Sequence, residues 1–344
     1  MNIYDPITVL SAVEEMPKAK TFLRDLFFPV KNDQVFLTDT VAIDTKKGRE
    51  RLAPFVADGV GGATVSRDSY ETSVVKPLRI APQRVLRSEH INARGLGEDL
   101  ITQKTPEQRA KELLAQDLKE LSDMIDRRME HMVRELLFNG KIVMKGYIDH
   151  ANKNFQESTI TYGKAVALTP KKKWNEAGND IATDLIKWKA EITKASGHSP
   201  TVAVMSSDVF AALLTNEAFG KLLDNRSIST GALAARDLGS GATYVGRIAI
   251  CGLDLYTYDA YFEENESAEP MMPAGKILLA AEGLGNMRFG AITQLINGGF
   301  KTFQAAKAPK IWDDLNADTR MIRLTSRPVP VPASLDAWGV ATVL

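Results

Sequence analysis

Four histidines, one cysteine and a few glycine-rich turns are the residues from which this chain could build a reactive centre. The histidines are His90, His131, His150 and His198. None stands in a His-x-x-x-His or Glu-x-x-His pair, and Cys251 has no second thiol with which to share a zinc ion. His131 falls within a long helical pattern, where the glutamate and arginine around it read as a solvated helix face. Cys251, in AICGLDLY, reads as a small buried apolar residue. KILLAAEGLGNMRFG puts Gly283, Gly285 and Gly290 after an apolar strand. A dinucleotide cradle needs G-x-G-x-x-G opening a helix; here the spacing is G-x-G-x-x-x-x-G and no helical pattern follows. ADGVGGAT (57–64) lacks the Lys-Ser/Thr of a phosphate loop, and no G-x-S-x-G nucleophile turn occurs. The acidic run Glu263, Glu264, Glu266 and Glu269 reads as a solvated hairpin tip, and Lys171, Lys172 and Lys173 as an exposed loop. The sequon at Asn225 has no secretory context to give it meaning. Neither a catalytic site, a metal site nor a cofactor is expected.

Composition narrows the function in the same direction. The 344 residues carry 43 Lys+Arg against 43 Asp+Glu, a formal net charge of zero. That balance argues against a dedicated nucleic-acid binder, which shows a basic excess or stripe. With 44% hydrophobic and 25% charged residues, the chain is neither a disordered tail nor a fibrous repeat. The length is about two domains' worth at roughly 150 residues each. A lone cysteine excludes an internal disulfide framework and fits a reducing compartment. MNIYDPITVLSAVEEM lacks the basic and apolar regions of a signal peptide, and no apolar run approaches the roughly 18 residues of a membrane span. The expectation is a chain that works in the cytoplasm of its cell, or leaves by a route other than secretion.

The elements that would position any site come next. Up to about residue 31, a short helical pattern (Ile7, Leu10, Val13) precedes Phe22, Leu23, Leu26, Phe27 and Phe28. Five large apolar residues in seven need burial, on the chain's own core or on a neighbouring subunit. Residues 49–56 and 64–75 read as two strands around glycine turns. The second, TVSRDSYETSVV, is too polar for both its faces to lie in a core. A long polar hairpin is marginal alone, so it reads as a projecting arm. The strongest signal spans 105–140. Thr105 is the N-cap, Pro106 sits at the first helical position, Gln108 completes a capping box, and Asn139-Gly140 is the stop. A stripe through Leu114, Leu118, Leu121, Ile125, Met129, Val133 and Leu136 keeps the helical period. After Gly140 come short strands around an Asn-rich turn. A second amphipathic helix covers 179–195, TVAVM is a buried strand leading into a helix, and strand-like segments follow Gly241. The coarse class is α+β, with no internal repeat.

These features resemble a known family. TFLRDLFFP (21–29), VAIDTKKGRERLAPFV (41–56), VVKPLRIAP (74–82), TYVGRIAICGLDLYTYDAYF (243–262), MMPAGKILLA (271–280) and RMIRLTSRPVPVPASLDAWGVATV (320–343) occur in the order found in lambda-type tailed-phage major capsid proteins, the phage capsid E family. The resemblance implies the Hong Kong 97 phage capsid fold. It assigns 1–44 to an N-terminal arm, 45–81 to an extended β-hairpin loop, and 82–178 to a peripheral domain with its spine helix at 105–139. Residues 179–299 would form a mixed α/β axial domain, and 300–344 would return to the peripheral domain.

Such subunits form pentamers and hexamers that close as an icosahedral shell around a double-stranded DNA genome, assembled in the host bacterial cytoplasm. The partners implied are further copies of the chain, a scaffolding protein, a portal and a decoration protein. No cofactor, no membrane and no sequence-specific DNA binding are implied. On this reading Arg49, Glu50, Arg51, Arg67, Asp68 and Glu71 are candidates for polar contacts that set register between subunits. Phe22, Leu26, Phe27 and Phe28 are candidates for the apolar anchor. Net neutrality suits a wall that encloses DNA without seizing it through counterion release. Two other readings make different demands. An encapsulin-like compartment shell of the same fold would enclose protein cargo. An enzyme using the Gly283–Gly290 turn would be stabilised by a nucleotide.

Overall fold

The long helix begins and ends where its terminal chemistry dictates. In a computed structural model of the chain, Thr105 Oγ1 accepts from the Gln108 N–H (3.3 Å) and Gln108 Oε1 accepts from the Thr105 N–H (3.1 Å). This reciprocal pair satisfies donors that a helix start leaves bare. Gly140 closes the other end with φ at 66°, the left-handed conformation that glycine adopts without a Cβ penalty. Between them run 34 residues, Pro106–Asn139, a rod of ~50 Å at 1.5 Å per residue. The structure describes residues 6–16, 19, 21–46, 70–92, 105–149, 154–163, 165–176, 178–216, 236–248, 250–264, 267–296 and 298–344.

The apolar stripe of this helix organises one layer. Leu118, Leu121, Ile125, Met129, Val133, Leu136 and Leu137 are buried in one cluster with residues from two three-stranded sheets. In the first sheet, Thr319–Thr325 runs antiparallel between Ala308–Asp314 and Gln83–Arg87. In the second, Gly285–Phe289 lies between Val30–Val35 and Pro328–Pro332. That last strand is Pro-Val-Pro-Val-Pro, and only its Val329 and Val331 carry N–H groups to give the ladder. The helices Pro6–Glu15 and Leu23–Phe27 complete the layer.

A seven-stranded sheet forms the second layer. Its order is Val166–Leu168, Trp338–Thr342, Lys276–Ala280, Val202–Met205, Leu253–Tyr258, Ala242–Ile248, Arg236–Asp237. Both faces of its centre are covered, which explains why TVAVM and KILLA are continuously apolar rather than alternating. Ala203, Met205, Ile277 and Leu279 meet the helices Ile181–Ser196 and Ser207–Thr215. Val202, Val204, Leu278 and Trp338 meet the long-helix cluster, and the Trp338 indole N–H donates to the Leu137 carbonyl (3.1 Å). The segment boundaries expected at 179 and 299 do not coincide with the sheets. Trp338–Thr342, expected with the long helix, pairs inside the seven-stranded sheet, whereas Gly285–Phe289 pairs with Val30–Val35. The alternation of apolar Trp338, Val340 and Ala341, Val343 suits a strand buried on both faces.

Smaller hairpins stand on this frame. The expected strand 64–75 is found from Tyr70 onward, but its partner is Val41–Lys46 rather than 49–56. Val41 and Ile43 give that pair an apolar side, buried with Ile160, Val329 and Val331. Residues 47–69, which include the strand expected at 49–56, lie outside the described residues. Three further hairpins are Lys141–Asp149 with Asn154–Thr161, Tyr261–Glu264 with Ser267–Pro270, and Ile292–Ile296 with Gly299–Phe303. The Gly283 turn leads into a strand, so it presents no helix start to a phosphate. A Cβ at Gly285 would lie 2.1 Å from the Val331 carbonyl oxygen and 2.9 Å from the Phe28 ring, so this glycine serves close strand approach.

Candidate assembly interface

The apolar anchor expected to grip a neighbour is spent inside the subunit. Phe27 and Phe28 are fully buried, and Phe22 packs its ring 5.3 Å from Tyr256 and 5.2 Å from Tyr258. Leu26 is half-buried against the same core. The cause is a carboxylate. Glu130, on the long helix, accepts the backbone N–H groups of Phe22 (3.1 Å) and Leu23 (2.7 Å) at Oε1 and of Arg24 (2.8 Å) at Oε2. Tyr258 donates its hydroxyl to Oε1 at 2.8 Å. Leu23–Phe27 is one short helical turn and a half whose leading donors have no partner of their own, and a negative group at that end is doubly favourable.

A second set of charges sits beside this clamp. Arg24 Nη1 lies 2.7 Å from Asp126 Oδ1 and Nη2 lies 2.9 Å from Asp25 Oδ1. Lys307 Nζ reaches Asp126 Oδ2 (2.9 Å) and Ser122 Oγ (2.7 Å). A cavity of about 410 Å³ adjoins the cluster, with Val13, Val30, Val35 and Phe289 on its apolar wall. Arg24, Asp126 and Lys307 on its polar wall are committed to one another, so the cavity is the space beneath the N-terminal segment rather than a built catalytic site.

His131 and Glu130 correct the expectation of a solvated helix face. Both are buried. The His131 ring meets Phe262 edge-on at 4.5 Å. Burial, and then the neighbouring Arg128 charge, push its pKa down to about 4, so the imidazole is neutral at pH 7. Arg134 lies over the Phe262 ring at 5.1 Å and donates to the Met271 carbonyl, while Arg128 pairs with Glu264 at 3.1 Å. The hairpin 261–270 is thereby fastened to the helix. Among the described residues its acidic side chains Glu263, Glu264 and Glu269 are exposed, as expected of a hairpin.

Of the remaining candidates, Arg49, Glu50, Arg51, Arg67 and Asp68 lie outside the described residues. Glu71 stands opposite Thr45 in the ladder of Val41–Lys46 with Tyr70–Val75. The structure adds surfaces that the sequence did not single out. Tyr147 faces Phe155 across one hairpin and Leu295 faces Phe300 across another, with Phe300 80% exposed and the adjacent Ile148 77%. A signal existed: large apolar residues flank the turn of an otherwise polar hairpin. Among the described residues no cluster of His, Cys, Asp or Glu is arranged to hold a metal, and no helix is long and apolar enough to cross a membrane.

The chain is similar along its whole length to two curated proteins. The P21 prophage-derived major head protein of Escherichia coli O6:H1 (strain CFT073) is 23% identical, with 100% of each chain covered. The major capsid protein of Enterobacteria phage P21 gives the same figures. Among solved structures, the putative capsid protein of an E. coli CFT073 prophage superposes with a TM-score of 0.69 at 18% identity, covering 98% of this chain and 99% of that one. A phage-related protein from Bordetella bronchiseptica RB50 gives 0.58 at 13% identity, covering 98% and 96%. The fold is the phage capsid fold expected from the resemblance. The family described as phage major capsid protein E matches residues 6–343, and this chain belongs to it.

Proposed function

We propose that this chain is the wall subunit of a tailed-phage or prophage head, assembling with copies of itself into pentamers and hexamers that close an icosahedral shell around double-stranded DNA. The observation that carries the reading is the family match over residues 6–343. The physics agrees with it. Shell growth needs many moderate contacts that remain correctable until the lattice closes, and polar rim contacts set register more than affinity. A subunit with its own buried frame and projecting hairpins supplies such contacts without needing a ligand. The role is structural rather than enzymatic, and its place is the virion. A scaffolding protein, a portal and a decoration protein are the partners that this role calls for. DNA is enclosed without sequence-specific binding, in keeping with a net charge of zero.

The test is negative-stain electron microscopy of the purified chain with and without its candidate scaffold, alongside sedimentation velocity. Closed shells, or rings of five or six subunits, are expected. A monomer or small dimer under both conditions overturns the reading.

A further inference from the structure

One sheet carries a cationic face that no carboxylate among the described residues neutralises. In the register of the sheet, Lys310 stands opposite Arg323 and Trp312 opposite Met321. Side chains alternate along a strand, so these four share the face opposite to buried Ile322 and Leu324. Lys310 Nζ and Arg323 Cζ each lie 5.3 Å from the Trp312 ring, and the two cations occupy one rung of the ladder, two residues along from it. Neither has a carboxylate partner among the described residues, and the buried Arg323 Nε–H has no acceptor. The one acidic residue of this face among the described strands, Asp314, accepts the Asn316 N–H at 3.1 Å. Desolvation, and then Arg323, lower the Lys310 pKa; desolvation, and then Arg79, lower that of Arg323. Crowded like charges on an indole are a site that awaits a carboxylate.

A matching surface lies elsewhere on the same chain. In the hairpin Tyr261–Glu264 with Ser267–Pro270, Glu264 is committed to Arg128, but Glu263 and Glu269 are exposed and without an ion pair among the described residues. Tyr261, 66% exposed, shares the outer face with Glu263, whereas Glu269 stands opposite Phe262 on the other face. Phe262, packed on His131 and Arg134, holds the hairpin still, so little order must be gained on docking.

We propose that the acidic hairpin of one copy docks on the cationic face of the next, with Glu263 pairing Lys310 and Arg323, the Tyr261 ring covering Trp312, and Glu269 adding negative charge from the hairpin's other face. The occupant follows from charge complementarity within a self-assembling chain, and the inference rests on the capsid reading. Geometry adds to it. The cationic sheet is tied to the long helix at Asp117 and Glu120 through Arg84, whereas the hairpin is tied at Arg128, His131 and Arg134. These points are ~20 Å apart along the helix. Two different patches that fit each other make a head-to-tail contact, the kind that closes into rings.

The experiment compares full-length chains by sedimentation velocity and electron microscopy. Lys310→Glu with Arg323→Glu makes hairpin and face both negative; Glu263→Lys with Glu269→Lys makes both positive. Each pair of substitutions lowers the yield of rings and shells by about tenfold or more, and all four in one chain restore it to within about threefold. Restoration also shows that the substituted chains fold. If the fourfold variant assembles no better than either pair, or the hairpin pair assembles like the parent, the docking is wrong. Short duplex DNA is added in parallel. Binding by the parent that the face pair abolishes and the fourfold variant does not regain makes the face a phosphate surface and overturns the docking. A parent chain that never assembles overturns the capsid reading and the docking together; an assembling parent without rescue overturns the docking alone.

Discussion

Glu130 takes three successive backbone N–H groups and a hydroxyl, and no other side chain near it could replace that set. Glu130→Gln keeps the shape but turns one acceptor into a donor aimed at donors. We expect it to cost about 3 kcal/mol, the scale of a buried group left unmatched, read as a lower urea midpoint for the unassembled subunit. An unchanged midpoint would contradict the clamp. His131 gives a pH signature. Its folded pKa of about 4 lies below the unfolded value of 6.5, so the unfolded chain binds the proton first as pH falls. This contribution is complete above pH 6.5 and is lost progressively between 6.5 and 4. Between pH 7.5 and pH 5 the loss from this residue is about 2 kcal/mol. His131→Gln removes that slope whatever it does to stability at pH 7.5, and a parallel pair of pH profiles would refute the assignment. Neither residue was legible in RRMEHMV, because a carboxylate beside the apolar stripe looks solvated until its partner is known. The available clue was spacing. Ser122, Asp126 and Glu130 fall four apart, on one line of the helix flanking Leu121, Ile125 and Met129. The line's partner, Arg24, was itself embedded in an apolar run.

Elements with strong local signals were readable, and those defined by distant partners were not. The capping box, first-position proline and terminal glycine placed the long helix to within a residue at each end, since those features act within a few residues. Thr105→Ala should therefore cost only about 1 kcal/mol, seen as a modest fall in melting temperature. The polarity of 64–75 gave no partner for Tyr70–Val75, which pairs with Val41–Lys46, because register there is decided by the apolar side that Val41 and Ile43 bury against Ile160 and Val331. Gly283, Gly285 and Gly290 looked like one motif and do separate things. Gly285→Ala should be severe, ~3 kcal/mol or more, because the added carbon meets backbone rather than a side chain that can turn away. A soluble, fully cooperative Gly285→Ala chain with a parental midpoint would show that the strands can separate there.

At the scale of the whole molecule, the subunit buries the Phe22–Phe28 aromatic rings in its own core, and on the proposed reading it meets its neighbours with charge and hairpins. That division predicts that deleting 48–76 abolishes closed shells while leaving a folded subunit, observed as lost particles in the electron microscope with a retained cooperative melt. Shells from the deletion would remove the projecting hairpin from the assembly mechanism. The family was legible because short blocks in fixed order survive where no single motif does. A quieter consequence follows from Pro328, Pro330 and Pro332. Successive residues of a strand send their N–H groups to opposite edges, and the two valines direct theirs to Gly285–Phe289. The outer edge from Pro328 to Pro332 is therefore without a single donor, and the Tyr162 hydroxyl already occupies the Pro330 carbonyl at 2.8 Å. Inside an infected cell, or in a tube of concentrated protein, sheet borders of identical copies meet, and this one is also buried along its whole length within its own subunit. This border cannot be copied by another, so crowding leads to ordered tiling instead of runaway stacking.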